Sequence, residues 1–238
     1  MSLEKSRDLT PEQIAAATLK REAAIALAAK QSAAISANLA TLKQALFPNG
    51  GIPDFKAPIL PQSDPECVRQ SRKLFVETLW PVPVEGEEFI VSLEDQENGG
   101  SPGWDVSRTR EKLLDPSGRF AFIKVNTLHR GRTGSRGGAT DADSNMAYTL
   151  LESDVASQRD QMELTRVMIA AGFPIKTVVF SGGKSFHWIV QVCALNNTDK
   201  ALYKERVGML RKGLEAFGFD GSTCNPGRKT RLPGQQLA

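Results

Sequence analysis

Three segments of this chain place acids, an imidazole and cations where they could handle phosphate. In YTLLESDV, residues 148–155, Glu152 and Asp154 stand two apart. Residues i and i+2 of a strand share a face, so the two carboxylates repel each other unless a cation sits between them. Paired carboxylates, completed by water and phosphate oxygens, form the donor set of Mg²⁺ or Mn²⁺; the alternative is a solvated strand end. In SGGKSFHWIVQV, residues 181–192, Ser185 and His187 repeat that spacing beside Lys184, while Phe186, Trp188, Val190 and Val192 form the opposite, apolar face. A hydroxyl, an imidazole and an ammonium within one turn suit a polyanion, although a single strand histidine is more often structural. A third acid, Asp220, follows in GFD, and Arg228, Lys229 and Arg231 come close behind it. These cations fit either a grip on triphosphate or template, or a solvated basic tail. Three carboxylates and a phosphate-gripping strand are the components of two-metal phosphoryl transfer.

The Gly-Lys-Ser of residues 183–185 is not the end of a P-loop. That motif needs a glycine where this chain has Val178, inside a β-branched run. The residues after Ser185 alternate as a strand does, so no helix N-terminus follows to receive a phosphate.

Those side chains need a scaffold, and the chain is long enough to build one. Its 238 residues are 40% hydrophobic and 24% charged, an ordinary globular composition. A net charge of +3 is too small to indicate nucleic acid unless the charge is localised. No apolar run reaches membrane-spanning length and the N-terminus lacks a signal-peptide core, so a cytoplasmic protein without a membrane partner is expected. Cys67, Cys193 and Cys224 are odd in number and far apart, and His129 and His187 are the only histidines. A disulfide framework and a zinc knuckle are not expected. Any metal must be held mainly by carboxylates.

Residues 10–46 predict a long Ala-rich helix or helix pair, with Thr10-Pro11-Glu12-Gln13 supplying an N-cap, a first-turn proline and a capping-box glutamine. Phe47-Pro48-Asn49-Gly50-Gly51 stops it, and its alanine face suits packing or oligomerisation. Residues 51–66 predict a Pro-rich linker. A helix over Cys67–Leu79, a strand over Glu88–Leu93, a loop through Asn98–Gly103, a short helix near Val106–Leu114 and a strand over Phe120–Val125 follow. Residues 126–138 hold His129, Arg130, Arg132 and Arg136 among glycines, a basic loop that is either simply solvated or in contact with phosphate. Beyond it the expected elements are a strand over Tyr148–Val155, a helix from Ser157 to Ala171, and strands over Thr177–Phe180 and Ser185–Val192. A helix carrying Tyr203, Val207, Leu210, Leu214 and Phe217 comes last. The order β-α-β-β-α predicts an RRM-like α+β unit, a sheet covered on one face by helices.

Together these segments resemble the archaeo-eukaryotic primase superfamily, in particular the primase-polymerases of phages, plasmids and other mobile elements. YTLLESD is similar to that superfamily's acidic strand motif, SGGKSFHW to its Ser-x-His motif, and GFDGSTCNPGRKTRLPG to its late Asp and the mobile-element signature beyond it. FIKVN resembles the branch's lead-in strand, and the resemblance covers roughly residues 70–234. It implies that Glu152, Asp154 and Asp220 are catalytic and bind two divalent cations, Mg²⁺ or Mn²⁺. It also implies that Lys184, Ser185, His187, Arg228 and Arg231 bind the incoming nucleotide. The implied fold is α+β: a catalytic core of two interleaved subdomains over residues 51–238, with the template crossing the cleft between them. An N-terminal Ala-rich helical extension, residues 1–50, lies outside the resemblance. The implied activity is DNA primase and polymerase, a template-directed nucleotidyl transfer on single-stranded DNA from nucleoside triphosphates. Gly227 stands where that branch usually has serine. Relatives commonly continue into a helicase, which makes a replicative helicase an expected partner.

Two other classes compete. A non-catalytic RRM-like nucleic-acid-binding replication protein would read bases with exposed sheet aromatics, yet Glu152, Asp154, Ser185 and His187 occupy those positions. A rolling-circle nuclease would need a His-x-His pair and a nucleophilic tyrosine, whereas the two histidines are isolated and Tyr148 and Tyr203 read as packing residues.

Overall fold

The computed structural model describes residues 10–52, 64–83, 88–95, 101–115, 117, 120–127, 145–181, 185–219 and 225–233. The 53–63 part of the linker, most of the basic loop with His129, Arg130, Arg132 and Arg136, and Lys184, Asp220 and Cys224 lie outside the described residues.

The N-terminal helix, α1, is single and runs Pro11–Leu46, about 54 Å at 1.5 Å per residue. The capping box forms as the sequence predicts: the Gln13 N–H donates to Thr10 Oγ1 (3.3 Å), and the Thr10 N–H to Gln13 Oε1 (2.9 Å). Up to Gln31 the described side chains of α1 are exposed; from there Ile35 and Leu39 are buried. Ile14, Leu19, Ile25 and Leu27 in the first part are exposed as well, so α1 docks only through its C-terminal part.

Helix α2 (Pro65–Leu79) is capped by the Asp64 carboxylate and buries Val68, Phe75, Val76 and Leu79 along one stripe. Strands β1 (Phe89–Asp95) and β2 (Ser101–Arg108) then form an antiparallel pair. Here the structure corrects two sequence expectations. Residues 101–103, expected in a loop, and Val106–Arg108, expected in a helix, belong to β2; the helix is only Arg110–Leu114 (α3), capped by Thr109. Pairing with β1 supplies the ladder hydrogen bonds that outweigh a weak local helix signal.

Strand β3 (Phe120–Lys124) pairs with β1, and β7 (Lys229–Arg231), from the far end of the chain, pairs with β3. The first sheet thus has the order β2-β1-β3-β7. A second, three-stranded sheet has the order β4-β6-β5, from β4 (Tyr148–Leu151), β5 (Ile175–Phe180) and β6 (Phe186–Gln191), all antiparallel. Helix α4 (Gln158–Ala170) links β4 to β5, and α5 (Lys200–Leu214) follows β6 before a 3-10 turn over Glu215–Phe217. The predicted β-α-β-β-α order is present, and the class is α+β.

Strict alternation in the second sheet assigns its side chains to two cores. Tyr148, Leu150, Val179 and Ile189 point to the first sheet and join Val91, Ile123, Val125 and the α2 residues. Leu151, Trp188 and Val190 point the other way, against Leu39 of α1, Leu164 and Val167 of α4, and Phe217. The face carrying Ser185 and His187 is therefore polar only at one end. Ile189, on the same face, is fully buried, because β6 is a central strand covered on both sides. Strand β4 also ends four residues sooner than expected. After Leu151 the chain bends, and the Ser153 hydroxyl accepts from the Ala156 N–H (3.1 Å) just before the Ser157 cap of α4. Among the described residues no helix is long and apolar enough to cross a membrane.

Candidate functional site

Strand register brings the acid and the imidazole together. The β4–β6 ladder pairs Leu151 with Trp188, so the next residues outward, Glu152 and His187, fall opposite each other. Glu152 Oε2 lies 2.9 Å from His187 Nε2, with the Glu152 side chain 21% and the His187 side chain 10% exposed. The other ring nitrogen, Nδ1, is 3.0 Å from Thr230 Oγ1 on β7. His187 thus bridges the two sheets, held on one side by the acidic segment and on the other by the strand that follows the late acid.

Of the remaining expected residues, Asp154 lies in the bend and is exposed. Ser185 is buried, and its N–H and hydroxyl both donate to Ser181 Oγ at 3.3 Å, while the Ser181 N–H donates to the Ser185 carbonyl (2.9 Å). Ser185 therefore closes the β5–β6 turn. Arg231 supports the same turn: its Nε donates to the Ser181 carbonyl, and its guanidinium lies 4.9 Å from the centre of the Phe122 ring. Cross-strand pairing of Phe122 with Arg231 makes that stacking possible. The Arg228 carbonyl accepts from the Val125 N–H (3.1 Å), so this residue enters β7 already paired to the end of β3.

Asp220 and Lys184 lie outside the described residues, whereas Gly218 and Phe219, just before Asp220, are described. Phe219 packs on Trp188 with ring centroids 4.7 Å apart. Gly218 has φ 74° and abuts the acidic segment so closely that a Cβ there would lie 3.2 Å from Ser153 Oγ and 3.4 Å from Val155 Cβ. The approach to the third acid therefore touches the two residues that alternate with Glu152 and Asp154.

Among the described residues no group of three or more His, Cys, Asp or Glu is assembled that could hold a metal. Glu152 and Asp154 are nonetheless oxygen donors of the kind Mg²⁺ and Mn²⁺ take, and both keep access to solvent. Their donor type suits such a cation, but among the described residues they are not assembled with a third ligand.

Three residues that shape the site were not singled out in the sequence. Asn126, 1% exposed, uses its whole amide. Its Oδ1 accepts from the Ala147 and Tyr148 N–H groups (3.0 and 2.9 Å), and its Nδ2 donates to the Tyr148 and Pro226 carbonyls (2.8 and 3.0 Å). It joins the start of β4 to the segment before β7. Gln161 donates to the Ala156 carbonyl and accepts from the Phe186 N–H, both at 2.8 Å, tying the acidic bend to the start of β6. Thr230 stands between two cations, Lys229 and Arg231. Its alternation with them across a strand was the available signal, since it puts the hydroxyl on the opposite face. The two tyrosines do pack: Tyr148 donates to the Leu79 carbonyl, and burial pushes its hydroxyl up to about 12, while the Tyr203 hydroxyl donates to the Tyr148 carbonyl (3.3 Å). Compared with family models, curated proteins and solved structures, the chain matches none.

Proposed function

We propose that this protein is a template-directed nucleotidyltransferase, a DNA primase-polymerase of the archaeo-eukaryotic type. The observation that carries the proposal is the meeting of Glu152 and His187 at one end of the inter-sheet face, with the residues before Asp220 against the bend that follows Glu152. Motifs separated by more than thirty residues converge there, as a site for a metal-bound triphosphate requires.

Glu152, Asp154 and Asp220 would hold two divalent cations, Mg²⁺ or Mn²⁺. Bound there, the cations would activate an attacking 3′-hydroxyl and neutralise the leaving pyrophosphate. His187 offers its Nε2–H to a phosphate oxygen, which requires Glu152 to yield the hydrogen bond it now accepts. Ser185 and Arg231, both bonded to Ser181, would support the triphosphate side of the site, Lys184 would add its ammonium, and Arg228 lies where the chain enters β7. Single-stranded DNA would serve as template. A helicase is the partner that would supply it.

A non-catalytic RRM-like protein would need an open sheet face for bases to stack on. The face of the second sheet away from α1 and α4 is packed against the first sheet and α2 through Tyr148, Leu150, Val179 and Ile189, which disfavours that alternative.

The test is incorporation of labelled nucleotides on single-stranded DNA with Mg²⁺ or Mn²⁺, with and without primer. Activity is expected to fall by at least about 10³-fold in Glu152→Ala/Asp154→Ala, the order of the loss when an essential catalytic group is removed. Synthesis that persists in that variant would remove the assigned roles.

A further inference from the structure

We infer that Thr230 is a positioning residue: its hydroxyl sets the His187 ring so that Nε2 faces Glu152 and the space beside it. Thr230 Oγ1 is 3.0 Å from Nδ1, and Thr230 is completely buried in the middle of β7. An ionised Glu152 has no proton to give, so the hydrogen on the Glu152–His187 contact belongs to Nε2. In the neutral ring Nδ1 is then the acceptor, and the partner it finds is the hydroxyl of Thr230, which donates. Glu152 thus sets the tautomer that aims an N–H at the acidic segment, and the Thr230 hydroxyl, donating to Nδ1, supports that tautomer and locks the ring plane between two strands.

Placement by the fold makes this more than a packing contact. Thr230 sits opposite Ile123 on the edge of the first sheet, whereas His187 is on the central strand of the second. The hydrogen bond thus couples the segment after the late acid to the Ser-x-His strand. Valine would fill the same volume and keep the strand, but it cannot donate. Serine would keep the donor.

The structural part of this inference is independent of the reaction; its effect on nucleotide binding rests on the function proposed above. With only two histidines in the chain, His187 can be followed in ¹⁵N-histidine-labelled protein by long-range ¹H–¹⁵N spectra, assigned with His129→Gln and recorded in mildly alkaline buffer. Wild type should show His187 as one Nε2–H tautomer with a hydrogen-bonded Nδ1. Thr230→Val should shift the Nδ1 resonance to that of an unbonded nitrogen or mix the tautomers, and Thr230→Ser should restore it. Should the valine variant not fold, Thr230→Ala carries the same comparison.

In nucleotide incorporation, KM for the nucleotide should rise about tenfold in Thr230→Val, the factor expected when one buried hydrogen bond is left unmade. kcat should change little, because the ring would lose ground-state and transition-state contact alike. An unchanged His187 ring in Thr230→Val, or a serine variant that fails to restore it, overturns the inference even if polymerase activity is found. A wild-type protein with no incorporation overturns the proposed function, and the ring spectra still decide the role of Thr230.

Discussion

Asn126 ties two segments of the site together through its side-chain amide. Its amide fills four hydrogen bonds, and all four partners are backbone groups of Ala147, of Tyr148 at the start of β4, or of Pro226 before β7. Removing it takes these bonds from the buried Ala147 and Tyr148 N–H groups and from the Pro226 carbonyl, each at a cost of roughly 1–3 kcal/mol when no water can replace the bond, while the Tyr148 carbonyl keeps the Tyr203 hydroxyl. Asn126→Ala should therefore lose about 3 kcal/mol or more in urea unfolding. Asn126→Asp should also be destabilised, since an ionised carboxylate cannot donate to the Tyr148 and Pro226 carbonyls. An alanine variant within about 0.5 kcal/mol of wild type, the range of ordinary surface changes, would refute the assigned role. The resemblance of FIKVN to a lead-in strand thereby acquires a physical content: its last residue ties β4 to the segment before β7.

At the scale of elements, α1 is held by its C-terminal end. The Ser36 hydroxyl donates to Asp160 Oδ2 (2.9 Å), Asn38 Nδ2 donates to the Ala216 carbonyl (2.8 Å), and Lys43 pairs with Glu163 of α4. The Lys43 hydrogen bond, aided by the charges of Lys43 and Arg166, holds the Glu163 carboxyl below its ordinary value of 4.5. A carboxyl lowered on folding contributes stability above its unfolded value and loses it as pH falls through the folded one. The attachment of α1 should thus weaken as pH drops below about 4.5, and Glu163→Gln should flatten that dependence. Exposure of the pair limits the effect to under about 1 kcal/mol. Hydrogen exchange in α4 across this range, compared between wild type and Glu163→Gln, measures it; identical profiles would exclude the pair as the cause.

For the whole molecule, Gly218 marks the point where three distant parts of the chain close on one another. A Cβ there would lie 2.8 Å from Ile35 Cδ1 of α1 and 3.2 Å from Ser153 Oγ of the acidic bend, on a backbone already in the left-handed region. Gly218→Ala pays both for the positive φ and for the crowding. It should cost about 1–3 kcal/mol in chemical unfolding and should lower nucleotide incorporation more than a neutral surface change does, because it presses on the residue between Glu152 and Asp154. A fully active, fully stable alanine variant would show that this junction is loose.

What the sequence determined by itself is whatever depends on short-range periodicity and punctuation. The Thr10 capping box, α2, β3, the Ser157 start of α4 and the alternation of Phe186, Trp188 and Val190 were all legible, because caps and two-residue repeats act within a few residues. The early end of β4, the strand in place of a helix start at Val106–Arg108, and the burial of both faces of β6 were not legible, since each is decided by a partner strand or layer far away in sequence. The same division runs through the site. Acidic and Ser-x-His spacings were visible in the chain, but only the register of β4 on β6 sets Glu152 opposite His187, and only the closure of β7 onto β3 brings Thr230 to the other side of the ring. Side-chain type is a local property of the chain; which side chain stands across from it is fixed by long-range pairing, and that is settled only when the two sheets pack.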